Sequence, residues 1–119
     1  MAEFRHLDVV KNGVVYVVRF SNGRILENTV IERTARELHQ LADLEDCRNL
    51  LLNFSGVTFL ASSMLGKLLT LNKRMKAKDG LLKLCELAPE VRQLFEMTGL
   101  AHIFDIRSDE TNGLLAFYQ

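Results

Sequence analysis

The sequence predicts an α/β fold with a mixed, mostly parallel β-sheet and helices packed on it. Short apolar runs alternate with longer segments whose apolar residues recur at helical spacing. Near the amino terminus an Asn-Gly pair separates two β-prone runs, which is typical of a hairpin. The chain has 119 residues, 48% of them hydrophobic, so we expect a single domain over residues 1–119.

Composition argues against several functional classes. Fifteen basic and fifteen acidic residues give no net charge, so the basic excess of a nucleic-acid binder is missing. No apolar run approaches the roughly 18 residues of a membrane span, and "MAEFRHLDVV" does not resemble a signal peptide, so we expect a cytoplasmic protein without membrane insertion. Two cysteines and three scattered histidines have no metal-ligand spacing, so we expect no metal and no cofactor.

The first third of the chain predicts a hairpin, a short extended segment and a helix. Asn12-Gly13 is the expected hairpin turn, and a short extension is expected at Arg24 to Leu26. The first helix should begin near Thr29, because Glu32 three residues later completes a capping-box pattern. The run "NLLLNF" that follows is typical of a strand covered on both faces.

The remaining elements alternate between helix and strand. A broad apolar stripe predicts a helix from the serines near residue 62 to Gly80, where the glycine suits a left-handed C-cap. The run "LLKLCEL" predicts a buried strand that includes Cys85, and Pro89 and Gly99 suit the start and stop of the next helix. "HIFDI" predicts a last strand, and Ser108 is expected to cap a final helix.

This order, β-β-α-β-α-β-α-β-α, places a core of leucines in the strands and helices. In parallel sheets, sites form where a strand's carboxyl end leads into a helix amino terminus. One such junction lies at Ser62 and Ser63. The residues expected to be buried are Leu51, Leu52, Leu68, Leu82, Leu84 and Leu94.

Three roles are open for Ser62 and Ser63. A serine hydroxyl can cap the helix, and this is the common role at such a position. A phosphate could also be held there, because a helix amino terminus stabilises an anion. A catalytic serine is disfavoured, because the Gly-x-Ser-x-Gly elbow is absent and no histidine or carboxylate pair is placed nearby by sequence. The lysine-rich face that follows is either solvated or a contact surface for an acidic protein.

The stretch from "NLLLNFSGVTFLASSMLGKLLTLNKRMKAKDG" to "FEMTGLAHIFDI" resembles the STAS domain of bacterial anti-sigma factor antagonists. That family has an apolar strand, a loop with Val-x-Phe, then Asp-Ser-Ser-Gly-Leu-Gly and a helix. Here Val57 and Phe59 match the loop, and the ordered pieces after it include Gly-Leu, Pro-x-Val and Met-Thr-Gly-Leu. The match covers about residues 49 to 106, and the β-β-α start agrees in kind.

The resemblance implies a binding module rather than an enzyme. Such proteins bind an anti-sigma factor that is often a serine kinase, and phosphorylation breaks the complex until a phosphatase restores it. The family's acceptor maps to Ser62, with Ser63 as the alternative, and the implied partner-binding residues are Ala61, Ser62, Ser63, Met64 and Lys67.

Two residues depart from the family pattern. Ala61 replaces the aspartate, and Met64 replaces a glycine, which adds bulk where a partner would approach. The alternative function is therefore an unphosphorylated scaffold or an accessory subunit of a signalling or transport complex. The sequence does not predict an oligomeric state, a particular sigma factor or a particular kinase.

Overall fold

The predicted hairpin forms at the start of the chain. In the computed structural model, which describes residues 4–118, β1 (Leu7–Asn12) pairs antiparallel with β2 (Val15–Phe20). Gly13 occupies the first position of the two-residue turn with φ of 62°, which an L side chain rarely adopts. The Asn-Gly signal was therefore correct, with the glycine supplying the unusual backbone angle.

Three more strands extend the hairpin into a mixed sheet. They are β4 (Asn49–Asn53), β6 (Leu81–Cys85) and β7 (Asp105–Arg107). The sheet order is β1-β2-β4-β6-β7, and every pair after the hairpin is parallel. This confirms the mixed, mostly parallel sheet.

A small second ladder lies at the sheet's carboxyl edge. Its strands, β3 (Arg24–Ile25) and β5 (Phe59–Leu60), are only two residues long and run parallel. The short extension at Arg24 was predicted, but its partner was not, because residues 59–60 belong to a stretch interpreted as loop. Each strand of this ladder leads directly into a helix.

Four helices begin close to their predicted positions. They are α1 (Asn28–Ala42), α2 (Ser62–Ala77), α3 (Pro89–Met97) and α4 (Glu110–Ala116), with a 3₁₀ turn at Leu100–His102. No helix within residues 4–118 is long and apolar enough to cross a bilayer.

The helices cover both faces of the sheet. Side chains such as Leu50, Leu52 and Leu84 pack with α1, α2 and α3 in the larger core, whereas Leu51 and Cys85 face α4. Five of the six predicted core leucines are buried, and this part of the prediction is confirmed. The sixth, Leu94, is only half-buried and packs against the rim of the core.

Both cysteines are buried. Cys85 lies in the core, as expected, but Cys47 is also fully buried although it sits in the connection between α1 and β4. Burial raises the pKa of Cys47 to about 11 and that of Cys85 to about 12. Neither thiol is therefore poised as a nucleophile near neutral pH.

The predicted amino-terminal caps are wrong, although the helix positions are right. Glu27 occupies the N-cap of α1, and no side chain caps that helix, so the Thr29 capping box does not form. Asp109, not Ser108, caps α4 by accepting a hydrogen bond from the Asn112 backbone N–H at 2.8 Å.

The end of α2 also differs from the prediction. Asp79, with φ of 58°, takes the left-handed conformation that was expected at Gly80. Gly80 is required for a different reason, because a Cβ there would lie 2.8 Å from the Arg48 carbonyl oxygen and 2.9 Å from the Met75 methyl. Space, rather than backbone angle, selects the glycine.

Candidate functional site

The loop between β4 and α2 is held rigidly and presents the serines outward. Gly56, with φ of 84°, makes a turn in which the Val57 N–H donates to the Phe54 carbonyl at 2.9 Å. The apolar side chains of this loop, Phe54, Val57 and Leu60, are buried in the main core. Packing of every third side chain fixes the backbone of the loop and leaves the side chains between them exposed.

Backbone hydrogen bonds tie the same loop to β3. The N–H groups of Thr58 and Ala61 donate to the carbonyls of Gly23 and Ile25, each at 2.9 Å. Gly23 is pressed so close to the loop that a Cβ there would lie 2.9 Å from the Gly56 oxygen. The start of α2 is therefore positioned both by core packing and by the small ladder.

Ser62 and Ser63 are the first two residues of α2, and both are exposed. Neither hydroxyl caps the helix, so the common role expected of these serines is wrong. The N-cap position belongs to Ala61, whose methyl group cannot accept a hydrogen bond. Because α2 also has no acidic residue in its first turn, its positive end lacks a neutralising side chain.

The other predicted contact residues lie in two different environments. Met64 is fully buried, so its side chain adds no bulk to the outer surface, which corrects the expectation drawn from the missing glycine. Lys67 is half-buried and forms an ion pair with Glu32 of α1 at 3.0 Å. The accessible part of the predicted surface is thus the turn around Ala61, Ser62 and Ser63, with Lys67 at its border.

Gly66 lies one helical turn beyond Ser62 on the exposed side of α2. A Cβ added there would meet nothing within 4 Å, and its φ lies outside the left-handed region. Glycine in a helix interior costs about 0.5–1 kcal/mol relative to alanine. Neither space nor backbone conformation within the described residues explains it, so the fold itself does not require this glycine.

The lysine-rich part of α2 is divided by its contacts. Arg74 forms an ion pair with Asp43 at 3.0 Å, and Lys78 donates to the Ala42 and Leu44 carbonyls at 2.7 and 2.8 Å. Lys73 and Lys76 are exposed and form no ion pair within the described residues. Part of this face therefore ties α2 to α1, and the rest is solvated.

A polar cluster lies at the end of β4, on the strand that precedes the site. The buried Asn53 amide donates to Glu110 Oε1 at 2.8 Å, and its carbonyl oxygen accepts from the Ser55 N–H at 2.8 Å. Arg19 also reaches Glu110, at 3.1 Å. The Asn53 hydrogen bond, aided by Arg19, lowers the pKa of Glu110.

The surroundings of the two serine hydroxyls contain few groups that could react with them. No hydrogen bond joins either serine hydroxyl to a histidine or a carboxylate in the part of the chain that the structure describes. The same residues contain no group of three His, Cys, Asp or Glu side chains that could hold a metal ion. What the turn offers is two accessible hydroxyls at the positive end of a helix.

Comparison with known families decides the classification. A family model described as the STAS domain matches residues 6–112, which is most of the chain. The chain belongs to the STAS family. The resemblance drawn from about residues 49 to 106 is therefore confirmed, and the match extends through the amino-terminal hairpin that resembled the family only in kind.

Individual STAS relatives agree with this classification. The anti-sigma F factor antagonist of Paenibacillus polymyxa is 28% identical over 100 residues, which cover 84% of each chain. An anti-sigma-factor antagonist (STAS) domain protein from Planctomyces limnophilus has the same fold, with a TM-score of 0.87 at 24% identity over 95% of this chain and 98% of the other. The Bacillus protein SpoIIAA in its phosphorylated form gives a TM-score of 0.70 at 17% identity over 95% and 99%.

Sequence inspection missed one feature beside the site of this STAS domain. Arg24 and Phe59 are opposite each other in the β3–β5 ladder, with the guanidinium 4.5 Å from the centre of the ring. Phe59 was noted only as a match to the Val-x-Phe pattern. No local signal pairs it with Arg24, because 35 residues of chain separate the two and only the ladder brings them together.

Proposed function

We propose that this domain is an anti-sigma factor antagonist, a binding module rather than an enzyme, whose binding is switched by phosphorylation of Ser62. The observation that carries the proposal is the pair of exposed serines at the uncapped start of α2, in a chain of this family. Ser63 is the alternative acceptor. The proposed partner is an anti-sigma factor that is also a serine kinase, opposed by a phosphatase, and the proposed location is the cytoplasm.

The switch would act on the interface rather than on the fold. A phosphate adds about −1.5 to −2 charges at neutral pH, and the amino terminus of α2 stabilises such a charge. Its first turn holds no carboxylate that would repel it. A close protein interface, by contrast, desolvates a dianion only at high cost unless cations pair with it. Phosphorylation should therefore leave the domain folded while releasing the anti-sigma factor.

The exposed surface around Ser62 supports a close approach by a partner. Ala61, Ser62 and Gly66 present little side-chain bulk, so another protein could pack against the backbone of the first two turns. The lack of any need within the described structure for glycine at position 66 agrees with a role outside the chain.

Phosphomimetic substitution tests the switch. Ser62→Asp should weaken binding of the cognate anti-sigma factor at least tenfold, about 1.4 kcal/mol, in a calorimetric titration. Ser62→Ala should still bind, and the melting temperature of both variants should stay close to that of the wild type. Ser108→Asp is a matched control, because Ser108 is also exposed and directly precedes the N-cap of a helix, α4, on the other face of the sheet. Equal affinity for Ser62→Asp and wild type would refute the switch.

The departure at Ala61 supports a second function, in which the domain is an unphosphorylated scaffold or accessory subunit. Ala61 removes the acidic group that the family pattern has beside the acceptor, which could orient the hydroxyl or contact the kinase. Isolation of the tagged protein from its own cells distinguishes the two. A stable complex with a transporter ATPase, and no phosphorylated form, would favour the accessory role.

A further inference from the structure

The outward face of the β3–β5 ladder carries an arginine stacked on an exposed phenylalanine. Ile25 and Leu60, paired in the ladder, are buried in the core. Since side chains alternate along strands, Arg24 and Phe59 point the other way, and the Arg24 guanidinium lies 4.5 Å from the ring centre. We call this surface, formed by Arg24, Leu26, Phe59 and Ala61, the ladder face.

Two apolar side chains of the ladder face are substantially exposed to solvent. Phe59 is 47% exposed and Leu26 is 39% exposed, so each leaves apolar area in contact with water. Single exposed apolar residues are ordinary, but Phe59 belongs to the ladder and Leu26 directly follows its strand β3. The face also continues directly into the serine turn, because Ala61 follows β5 and precedes Ser62.

Arg24 carries a positive charge on the ladder face. Within residues 4–118, Arg24 forms no ion pair, not even with Glu27, the carboxylate nearest to it in sequence. The positive amino-terminal ends of α1 and α2 follow β3 and β5 directly, at the same edge. A complementary surface would therefore offer a carboxylate beside an apolar side chain.

We propose that Arg24 and Phe59 anchor the anti-sigma factor, with Phe59 packing on an apolar side chain and Arg24 pairing with a carboxylate of that partner. This inference rests on the proposed function and assigns the contacts that give the interface its affinity. Aromatic residues and arginine are the side chains most often found to dominate interface energy. The guanidinium already lies over the Phe59 ring, and its planar fork is pre-organised, so less side-chain freedom is lost when a carboxylate binds.

The proposed contact at Arg24 also gives a specific reason why a phosphate on Ser62 would weaken binding. A partner carboxylate drawn to Arg24 would come to rest on the surface that Ser62 borders. A phosphate on Ser62 would repel that carboxylate across a desolvated interface, where like charges interact strongly. The same acidic group would thus favour the unmodified protein and disfavour the phosphorylated one.

Titration of the full chain with its cognate anti-sigma factor tests the anchor. Phe59→Ala and Arg24→Gln should each weaken binding at least tenfold. The affinity of Arg24→Lys should lie between those of Arg24→Gln and wild type, because lysine keeps the positive charge and lacks the planar guanidinium. Raising the salt concentration should weaken wild-type binding more steeply than binding of Arg24→Gln. Thermal melts of each variant establish that the fold is intact, and Phe59→Leu, which keeps apolar bulk, replaces Phe59→Ala if the alanine variant melts early.

Two controls match these changes at remote positions. Lys76→Gln removes one positive charge that lies about 20 Å along α2 from Ser62. Met97→Ala shortens an apolar side chain that is 77% exposed at the far end of α3. Both should bind within twofold of wild type.

The outcomes separate this inference from the function on which it rests. Wild-type affinity in Phe59→Ala and Arg24→Gln, together with weakened binding of Ser62→Asp, would overturn the anchor and leave the switch standing. Failure of the wild-type chain to bind the anti-sigma factor would overturn both. Weakening by the ladder-face variants alone would support the anchor and refute the switch.

Discussion

The uncapped start of α2 predicts that Ala61→Asp will stabilise the protein. Ala61 has extended backbone angles, φ −71° and ψ 145°, which are those of an N-cap residue, but its side chain accepts no hydrogen bond. The first turn that follows contains no acidic residue. An aspartate at this position can accept a hydrogen bond from a free backbone N–H and place its charge at the positive end of the helix.

The size of the effect follows from these two contributions. A side-chain N-cap is worth about 0.5–2 kcal/mol, and a carboxylate at a helix start about 0.3–1 kcal/mol. One carboxylate supplies both, so their sum is not fully additive, and a gain of about 1–2 kcal/mol is expected. For a chain of 119 residues this corresponds to a rise in melting temperature of roughly 3–8 °C.

Denaturant and thermal melts of three variants separate the contributions. Ala61→Asn should give the hydrogen bond without the charge, and therefore a smaller gain. Ala88→Asp, at the N-cap of α3, should gain less than Ala61→Asp, because Glu90 already places a carboxylate at that helix start. A change below about 0.3 kcal/mol in Ala61→Asp would show that the start of α2 is not open as the structure indicates.

Three further predictions concern α2, the core and pH. Gly66→Ala should raise stability by about 0.5–1 kcal/mol in denaturant melts yet weaken anti-sigma factor binding; unchanged affinity would mean that no partner packs there. Leu82→Ala should cost about 2–5 kcal/mol, whereas its exposed neighbour in Leu81→Ala should cost far less; similar losses would contradict the strand orientation. The Asn53 hydrogen bond holds the pKa of the Glu110 carboxyl below its ordinary value of 4.5. The stability that the ionised carboxylate adds to the fold is therefore present above about pH 4.5 and is lost as the pH falls through the lower pKa of the folded state. Glu110→Gln should accordingly flatten the acid-side fall in melting temperature, and an unchanged pH profile would refute this.

Buried runs and helical stripes predicted most of the fold, because these patterns record burial directly. "NLLLNF" and "LLKLCEL" became central strands, and the start of α3 at Pro89 follows from the fixed φ of proline. Strand β5 was not predicted, because a strand of two residues is too short to show the alternation of apolar and polar residues. Its pairing with β3 depends on contacts across 35 residues of chain, which a local pattern does not contain.

The position of the two serines in the fold was predicted, but their hydrogen bonding was not. The apolar stripe put the serines at the start of α2, where the structure has them, but the same hydroxyls suggested a cap that they do not form. Capping depends on which residue has extended backbone angles, and that residue is Ala61. Burial of Met64 likewise depends on the rotation of α2 against the core, which packing of the whole sheet determines.

The central claim is that Ser62 accepts a phosphate that controls binding. Incubation of the wild-type chain with the cognate kinase and ATP, followed by mass spectrometry of the peptide that contains Ser62 and Ser63, tests it most directly. The account predicts a single phosphate on Ser62, lost in Ser62→Ala, and release of the anti-sigma factor in step with its appearance. If neither serine gains phosphate while the kinase modifies another substrate, the switch is contradicted and the scaffold function takes its place.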